Sequence, residues 1–336
     1  MAQATDTGIA AEPVDRQFRL MGTQVRILVG HPSRDGLPTP EGAADRVEAF
    51  LRDYEARLSR FREDSELSAL NADPRDEVPA SDLLCGAVQA AIDAARLSDG
   101  LVDPTLLDDL EQAGYAGCWS GEDRIDLAGA LEGERPSPRP ASPSPAARWR
   151  EIEVDREAGV IRRPAGLRID NGGSGKGHAA DLACEMLDGY EHWAVDCGGD
   201  IRIGGELATE REVELLDAFT GEPGDSITVR RGAVATSGLR SRIWRGEDGS
   251  VRHHLIDPST GLPAFTGLVS VTALAPTALE AETLAKTALL SGPLGARRIL
   301  TRHGGVTVDE NGNAEKVGRL DARPVVKLRL AGTGAR

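Results

Sequence analysis

Apolar residues recur at helical spacing in two segments near the start of the chain. Helical periodicity brings every third or fourth residue to the same side, so each set forms one apolar face. The first set is Ala43, Val47, Phe50, Leu51, Tyr54 and Leu58, and the second is Leu84, Val88, Ala91, Ile92 and Ala95. The pattern predicts amphipathic helices over 43–58 and 82–97. Further helices are expected over 177–188, 279–290 and 294–302.

Short apolar runs bounded by turn-forming residues predict strands elsewhere. Residues 18–29 contain two such runs, with Gly22 as a bulge or bend between them. Later strands are expected near 150–155, 159–162, 167–170, 193–197, 200–204, 226–230 and 267–275. Helices mostly first and strands mostly later favour an α+β fold over a regular βαβ repeat. We expect mixed or antiparallel sheets flanked by helices.

The polar and proline-rich segments indicate the domain organisation. Residues 1–15 are predicted to be disordered. The segment 134–147, Glu-Arg-Pro-Ser-Pro-Arg-Pro-Ala-Ser-Pro-Ser-Pro-Ala-Ala, predicts a stiff exposed loop. A chain of 336 residues can form one large or two medium domains. We interpret 16–330 as a single domain into which 134–147 is inserted.

Composition and charge narrow the functional classes. The formal net charge is −15, which disfavours nonspecific nucleic-acid binding, and a diphosphate site in such a protein needs local positive charge. No run is long enough to span a membrane. Residues 1–16 lack the basic region and apolar run of a signal peptide, so a cytoplasmic protein is expected unless the true start lies upstream. Buried thiols are expected for the scattered Cys85, Cys118, Cys184 and Cys197.

The segment Asp170–Asp181 carries the strongest chemical signal. Its sequence, Asp-Asn-Gly-Gly-Ser-Gly-Lys-Gly-His-Ala-Ala-Asp, lies between a predicted strand and a predicted helix. Glycines allow close approach of a ligand, a helix start offers free N–H groups to an anion, and Lys176 adds positive charge. The spacing differs from the P-loop and from the dinucleotide-binding fingerprint. A phosphate-binding loop and an ordinary glycine-rich turn with a solvated lysine both remain open.

A second constellation lies at 252–263, where His253 and His254 precede Asp257 at a predicted turn. Consecutive strand residues point to opposite faces, so at most one of these histidines shares a space with Asp257, which disfavours zinc. A single histidine that titrates near neutral pH suits general acid–base chemistry. The alternative is a turn histidine hydrogen-bonded to its own loop.

Taken together, these segments resemble the ApbE-type flavin transferases, also called FAD:protein FMN transferases. The resemblance runs in order over roughly 18–303, and so many short matches in one order are specific. The matching pieces are Met21-Gly22-Thr23, Leu58-Ser59-Arg60-Phe61, Asp64-Ser65-Glu66-Leu67, Leu70-Asn71, Leu101-Val102-Asp103-Pro104-Thr105, Asp170 to Asp181, Cys197-Gly198-Gly199-Asp200-Ile201-Arg202, Thr236-Ser237-Gly238 and His254 to Pro263.

The resemblance implies an ApbE-like fold and a Mg²⁺-dependent enzyme that transfers FMN from FAD to a Thr or Ser hydroxyl of an acceptor protein, releasing AMP. It implies that Mg²⁺ bridges the diphosphate, that His254 accepts the hydroxyl proton, and that Gly173 offers its carbonyl to the metal. Many relatives act outside the cytoplasmic membrane. By the same resemblance the FAD site is lined by Met21, Phe61, Leu101, Val102, Asp103, Asp170, Lys176 and Ile256.

One helix departs from the family pattern. The family usually has Asp and, one turn later, Thr as metal ligands, whereas this chain has Glu282 and Lys286. Glu282 can still bind Mg²⁺ through its longer arm, but an ammonium cannot ligate a cation. Thr287 comes one residue late, about 100° around the helix. Either Lys286 takes over part of the metal's task at the diphosphate, or Glu282 and Lys286 form an ordinary helix pair and the metal site is weakened or lost.

Three functions follow from these patterns. The leading hypothesis is FMN transfer to a protein. The second is an FAD pyrophosphatase, in which water replaces the protein hydroxyl and FMN and AMP are released. The third is a flavin-binding or carrier protein that lost catalysis together with its metal helix.

Overall fold

The computed structural model describes residues 12–117, 125–132, 136–207 and 209–319 of the chain. Helices supply one layer of the fold, and a short 3₁₀ helix spans Arg148–Glu151. The α-helices are α1 (Pro40–Leu58), α2 (Glu66–Ala72), α3 (Asp82–Leu97), α4 (Leu107–Gln112), α5 (Leu127–Glu132), α6 (Gly175–Glu185), α7 (Ala278–Leu290) and α8 (Gly292–His303).

The remaining regular elements are strands. They are β1 (Val14–Leu20), β2 (Thr23–Val29), β3 (Glu77–Pro79), β4 (Glu153–Asp155), β5 (Val160–Arg162), β6 (Trp193–Cys197), β7 (Asp200–Gly204), β8 (Arg211–Leu216), β9 (Pro223–Val229), β10 (Gly232–Gly238), β11 (Ile243–Arg245), β12 (Val251–His253), β13 (Ile256–Asp257), β14 (Leu262–Pro263), β15 (Leu268–Ala275), β16 (Gly305–Asp309) and β17 (Ala314–Val317).

Within the described residues, eight strands form one antiparallel sheet in the order β1-β2-β6-β7-β10-β15-β16-β17. Helices α6 and α7 pack on one face of this sheet, and the β8–β9 hairpin contributes to a smaller apolar cluster with β6, β7 and β10. Strands from both ends of the described chain share the sheet. One domain over 16–330 stays a prediction, and residues 320–330 of that range lie outside the described residues.

Helix α7 lies at the centre of the fold. Every one of its residues except Lys286 is buried, as expected for a helix enclosed on all sides. It packs against β10, β15, α3, α6 and α8. The Asp181 carboxylate on α6 accepts from the backbone N–H groups of Ala278 (2.8 Å) and Leu279 (2.9 Å). This negative group satisfies the first donors of α7, where a helix favours an anion.

Two predicted strand segments at the N-terminus are confirmed as an antiparallel hairpin. The two-residue turn is Met21-Gly22, and both residues have positive φ (52° and 67°). Such angles at both central positions belong to the tight turns that match the twist of a hairpin. Residues 1–11 of the segment predicted to be disordered lie outside the described residues. The prediction is wrong for Val14 and Asp15, because both pair in β1.

The helices predicted over 43–58 and 82–97 are confirmed as α1 and α3, and the later helices as α6, α7 and α8. The strand predicted near 167–170 is wrong. Leu167 and Ile169 are buried as a strand would require, but the Asn71 side chain bonds both the N–H (2.8 Å) and the C=O (2.8 Å) of Ile169. An amide side chain therefore takes the place of a neighbouring strand.

The proline-rich segment has no regular secondary structure over 136–144, as the composition predicts. It is nevertheless anchored, because Arg139 N donates to Phe265 O (2.9 Å) and Ala141 N to Leu290 O (2.8 Å). Ala141 is buried, while 136–140 are exposed. Among the cysteines, Cys85, Cys184 and Cys197 are buried free thiols, and Cys118 lies outside the described residues. No described helix has both the length and the apolar composition needed to cross a membrane.

Candidate active site

One cleft brings together segments that are far apart in the sequence. Ten of the predicted site residues line it, and the eleventh, Glu282, lies behind its wall with no exposed surface. Assignment of these residues to a ligand stays a prediction. The ten lining residues are Met21, Phe61, Leu101, Val102, Asp103, Asp170, Gly173, Lys176, His254 and Ile256.

The apolar wall of the cleft is built from the hairpin turn and the loop after α3. Met21 is fixed by its backbone N–H, which donates to Glu55 Oε1 of α1 (2.6 Å). Val102 is fixed in a similar way, since its N–H donates to the buried Ser98 hydroxyl (2.9 Å). Gly173 passes so close to this wall that an added Cβ would lie 3.1 Å from Val102 Cγ1. The glycine loop therefore packs directly against this wall, and both line the same cleft.

The mouth of the cleft carries an exposed aromatic ring. Phe61 is 37% exposed and makes an edge-to-face contact with Tyr115, at 5.6 Å between ring centres. The Arg60 guanidinium lies over Phe61 (4.2 Å) and Tyr115 (4.7 Å), and its Nε is 3.0 Å from Asp170 Oδ1. Such a group offers a stacking surface to a further aromatic ring. That Asp170 oxygen is buried and accepts no hydrogen bond within the described residues, so the Arg60 guanidinium is its charged neighbour.

The glycine loop leads directly into α6. Ser174 at the N-cap makes no side-chain capping bond, and the N–H groups of Ser174 (3.0 Å) and Gly175 (2.7 Å) donate to Asn171 O. Gly177 is required by close packing, because a Cβ there would lie 2.6 Å from Ala278 O of α7. Burial raises the pKa of Asp170 at the start of the loop, against the opposing charge of Arg60. The loop is held by packing and by these internal hydrogen bonds, and its glycines Gly172, Gly173 and Gly175 line the cleft.

Four charged side chains form a buried ion cluster, defined as Lys176, Asp200, Glu282 and Lys286. Lys176 Nζ contacts Asp200 Oδ2 and lies 3.4 Å from Glu282 Oε1, while Lys286 Nζ lies 2.8 Å from the same Glu282 oxygen. Glu282 Oε2 accepts from Gly177 N (2.9 Å). Burial alone would raise the pKa of Glu282, but Lys286 and Lys176 lower it. Glu282 therefore stays charged with both oxygens engaged.

The two histidines face different surroundings, as their adjacent strand positions predict. His253 is fully buried against Phe265, and Leu255 N donates to its Nδ1 (3.2 Å). His254 lines the cleft, with Nδ1 3.4 Å from Arg242 O. Burial, and then the charges of Arg242, His253 and Lys286, place the pKa of His254 well below its ordinary value. Its imidazole is therefore neutral near pH 7 and has a lone pair for a proton, but it is a weaker base than the expected histidine that titrates near neutral pH.

Asp257 does not join either histidine. Its Oδ1 accepts from Ser142 N (3.1 Å), Ser259 N (3.0 Å) and Ser259 Oγ (2.7 Å), which ties the turn to the proline-rich segment. Across the described parts of the chain, no three His, Cys, Asp or Glu side chains converge as metal ligands. Asp257 is therefore a structural residue of this turn.

Comparison with known proteins identifies the family. The model of the ApbE family matches residues 21–308, which is most of the chain. The chain belongs to the ApbE family. The FAD:protein FMN transferase of Treponema pallidum is 30% identical over 297 residues, covering 81% of this chain and 77% of that relative. The FAD:protein FMN transferase of Vibrio cholerae is 27% identical over 303 residues, covering 84% and 82%.

Solved structures agree with the ApbE assignment. The ApbE protein of Thermotoga maritima is 26% identical and has a TM-score of 0.73. The match covers 91% of this chain and 97% of that one. The flavin transferase ApbE of Vibrio cholerae, at 22% identity and a TM-score of 0.66, shares the fold. The predicted α+β fold with an ApbE-like arrangement is thus confirmed.

The position expected of a metal in ApbE proteins does not fit a divalent ion here. Both Glu282 oxygens are engaged by ammonium groups and an amide, as described above. Thr287 Oγ donates to Thr283 O (2.6 Å) inside α7 and faces away from the cleft. Of the expected ligand set, the Gly173 carbonyl alone remains. The residues that this ApbE-family chain presents are therefore a poor donor set for Mg²⁺.

The sequence patterns did not identify several of the residues at the cleft. Arg242 and Tyr115 line the cleft, with the Arg242 guanidinium 5.7 Å from the centre of the Tyr115 ring. Arg60 and Asp200 lay inside quoted ApbE motifs, at positions to which no role was assigned. Only the folded chain brings Arg60 to Asp170 and Asp200 to Lys176. For Arg242 and Tyr115 the sequence contains no signal beyond charge and aromaticity.

Proposed function

We propose that this protein transfers FMN from FAD to the hydroxyl of a Thr or Ser in an acceptor protein and releases AMP. The observation that carries the proposal is the cleft, which joins an exposed aromatic mouth, the glycine loop at the start of α6 with two lysines, and a neutral His254 in one space. Similarity in sequence and length to relatives named FAD:protein FMN transferase supports it.

Each part of the cleft matches one part of FAD. The apolar wall of Met21, Leu101 and Val102, together with Phe61 at the mouth, offers apolar and stacking surface for a flat ring system. The start of α6 offers the positive end of its helix dipole to the diphosphate, and Lys176 and Lys286 add full positive charge beside it.

The chemistry is a displacement at phosphorus. The acceptor hydroxyl oxygen attacks the phosphorus of the FMN half, the bond from that phosphorus to the bridging oxygen breaks, and AMP leaves with the bridging oxygen. His254 directs Nδ1 toward the Arg242 carbonyl, which leaves Nε2 to accept the hydroxyl proton. Positioning and charge neutralisation supply most of the catalysis in such reactions.

Magnesium, which the resemblance implies, stays a prediction. When bound, a divalent cation would neutralise the diphosphate and polarise the phosphoryl oxygens. Glu282 does not fit the role of its ligand, for the reasons given above, so no step of the proposed reaction runs through a metal. A Thr or Ser acceptor site likewise rests on the family's chemistry.

The test is covalent flavin transfer. The protein is incubated with FAD and a Thr-containing acceptor domain, the mixture is denatured, and flavin fluorescence on the acceptor and AMP in solution are measured. Equal amounts of protein-bound flavin and AMP are expected. AMP and FMN formed without acceptor would support hydrolysis by water instead, and FAD binding without AMP would support a carrier.

A further inference from the structure

Helix α7 turns one charged side chain toward the cleft. Lys286 is its only residue that is not buried, and it lines the cleft together with Lys176 and Gly173. Its side chain is 12% exposed and its Nζ lies 2.8 Å from Glu282 Oε1. The ammonium group therefore stands at the point where the cleft meets the buried carboxylate.

Glu282 has no oxygen available for a metal. Oε1 contacts Lys286 Nζ (2.8 Å) and Lys176 Nζ (3.4 Å), and Oε2 accepts from Gly177 N (2.9 Å). Mg²⁺ requires six oxygen ligands in near-ideal geometry, so binding at Glu282 would have to break these contacts inside a fully buried site. The bond from Gly177 also joins the first turn of α6 to α7.

The charge balance also opposes a divalent cation. Within the ion cluster, the two positive charges of Lys176 and Lys286 already balance the two negative charges of Asp200 and Glu282. Arg242 adds a further cation to the same cleft and has no ion-pair partner among the described residues. A dication at Glu282 would have to displace the two ammonium groups that already neutralise this carboxylate.

We propose that Lys286, together with Lys176, takes the place of a divalent cation against the diphosphate of FAD, so that this protein binds FAD without a metal ion. The inference rests on the proposed function only in taking FAD as the substrate. Ammonium groups neutralise phosphate oxygens and donate hydrogen bonds to them without a coordination shell. An ordinary helix pair is solvated on both sides, whereas here the carboxylate is fully buried.

The first experiment uses the wild-type protein and measures binding. FAD is titrated in excess Mg²⁺ and in excess EDTA, and the Kd is followed by flavin fluorescence. We expect the two Kd values to agree within about twofold, and a weakening of tenfold or more in EDTA would overturn the proposal. Mn²⁺ titrated alone and with FAD, followed by electron paramagnetic resonance, should give no protein-bound signal; a bound signal would contradict the proposal.

The second experiment exchanges the lysine. Lys286→Thr removes the ammonium and restores a hydroxyl at a helical spacing suited to a metal. We expect its FAD affinity in EDTA to fall by about tenfold or more, and Mg²⁺ to recover part of the loss. The matched control is Lys316→Thr, since Lys316 is half-exposed on β17 and pairs with Asp225 (2.5 Å), away from the cleft. Unchanged affinity in Lys286→Thr would reject the role of Lys286.

The outcomes separate this inference from the proposed function. If the Kd for FAD is the same with and without EDTA but no flavin is transferred, the inference is supported and the transferase function is rejected. Flavin transfer that stops in EDTA supports the transferase and rejects the inference. Absence of FAD binding rejects both. If Lys286→Thr fails to fold, as judged by circular dichroism, the wild-type titrations decide the question alone.

Discussion

At the scale of single residues, two adjacent histidines illustrate how position on a strand fixes chemistry. The side chains of His253 and His254, at the end of β12, point to opposite sides. His253 therefore packs in the core against Phe265, and His254 lines the cleft. Burial lowers the pKa of both, but only His254 faces a space where a substrate proton can arrive. The sequence predicted the division between the faces, whereas the low pKa values required the packing of the whole site.

Replacement of His254 by alanine tests its role as a base. We expect the rate of flavin transfer to fall by roughly 10²–10⁴-fold, the usual contribution of general acid–base catalysis. The Kd for FAD should stay within about threefold, because the diphosphate and ring surfaces remain. Initial rates of AMP release and fluorescence titration measure the two quantities. An unchanged rate would remove His254 from the mechanism.

Replacement of His253 by glutamine tests the cost of burying a histidine. The pKa of His253 is lowered to about 3, so between pH 6.5 and 3 the unfolded chain binds a proton that the folded chain does not. The free energy of unfolding therefore rises with pH in this window, by about 1.4 kcal/mol per pH unit for one such group.

Glutamine keeps an acceptor for Leu255 N but does not titrate. Urea unfolding at pH 6.5 and pH 5 should show that His253→Gln loses less stability on acidification than wild type, by about 2 kcal/mol. Comparison of the two proteins at each pH cancels the contribution of other buried groups, such as His178 and Glu280. Parallel losses in both proteins would mean that His253 does not titrate as the packing indicates.

At the scale of elements, periodicity predicted well where one element buries one face against the rest. Helices α1 and α3 are such cases, and their stripes point into the core. Periodicity gave a wrong strand prediction at 167–170, where the Asn71 side chain replaces a strand partner. It also did not predict strand β10, because the glycine and alanine residues of that strand give little hydrophobic signal. Both failures come from partners distant in sequence, which local pattern does not encode.

The crossing of α6 and α7 predicts a strict requirement at Gly177. A Cβ there would lie 2.6 Å from Ala278 O and 2.8 Å from Leu279 N, and both are backbone atoms that cannot rotate away. We expect Gly177→Ala to lower the free energy of unfolding by about 1–3 kcal/mol, as overpacking does. Chemical denaturation measures it.

The matched control is Gly86→Ala within α3, where the nearest atom would be 3.8 Å from the added Cβ. An alanine in a helix interior gains up to about 1 kcal/mol over glycine, so this variant should be as stable as wild type or more stable. If both variants behave alike, the contact between α6 and α7 is looser than these distances indicate.

At the scale of the whole molecule, the cleft exists only because the sheet brings the ends of the chain together. Met21 comes from the first hairpin, Asp170 from the middle, and Lys286 from the buried helix near the end. Motif residues such as Lys176 and His254 could be predicted because their chemistry and neighbours in sequence are distinctive. Arg242 and Tyr115 could not, because their roles arise from tertiary contacts alone.

A ligand that touches so many segments should stabilise the whole fold. With free FAD at 100 times its Kd, binding to the folded state alone adds about 2.7 kcal/mol to the free energy of unfolding and raises Tm by several degrees. Phe61→Ala removes the stacking surface at the mouth and should reduce this shift at a fixed FAD concentration. Leu294→Ala, at an exposed position of α8, should retain it. Differential scanning fluorimetry would contradict the proposed FAD site if both variants shift equally, because the flavin would then bind away from Phe61.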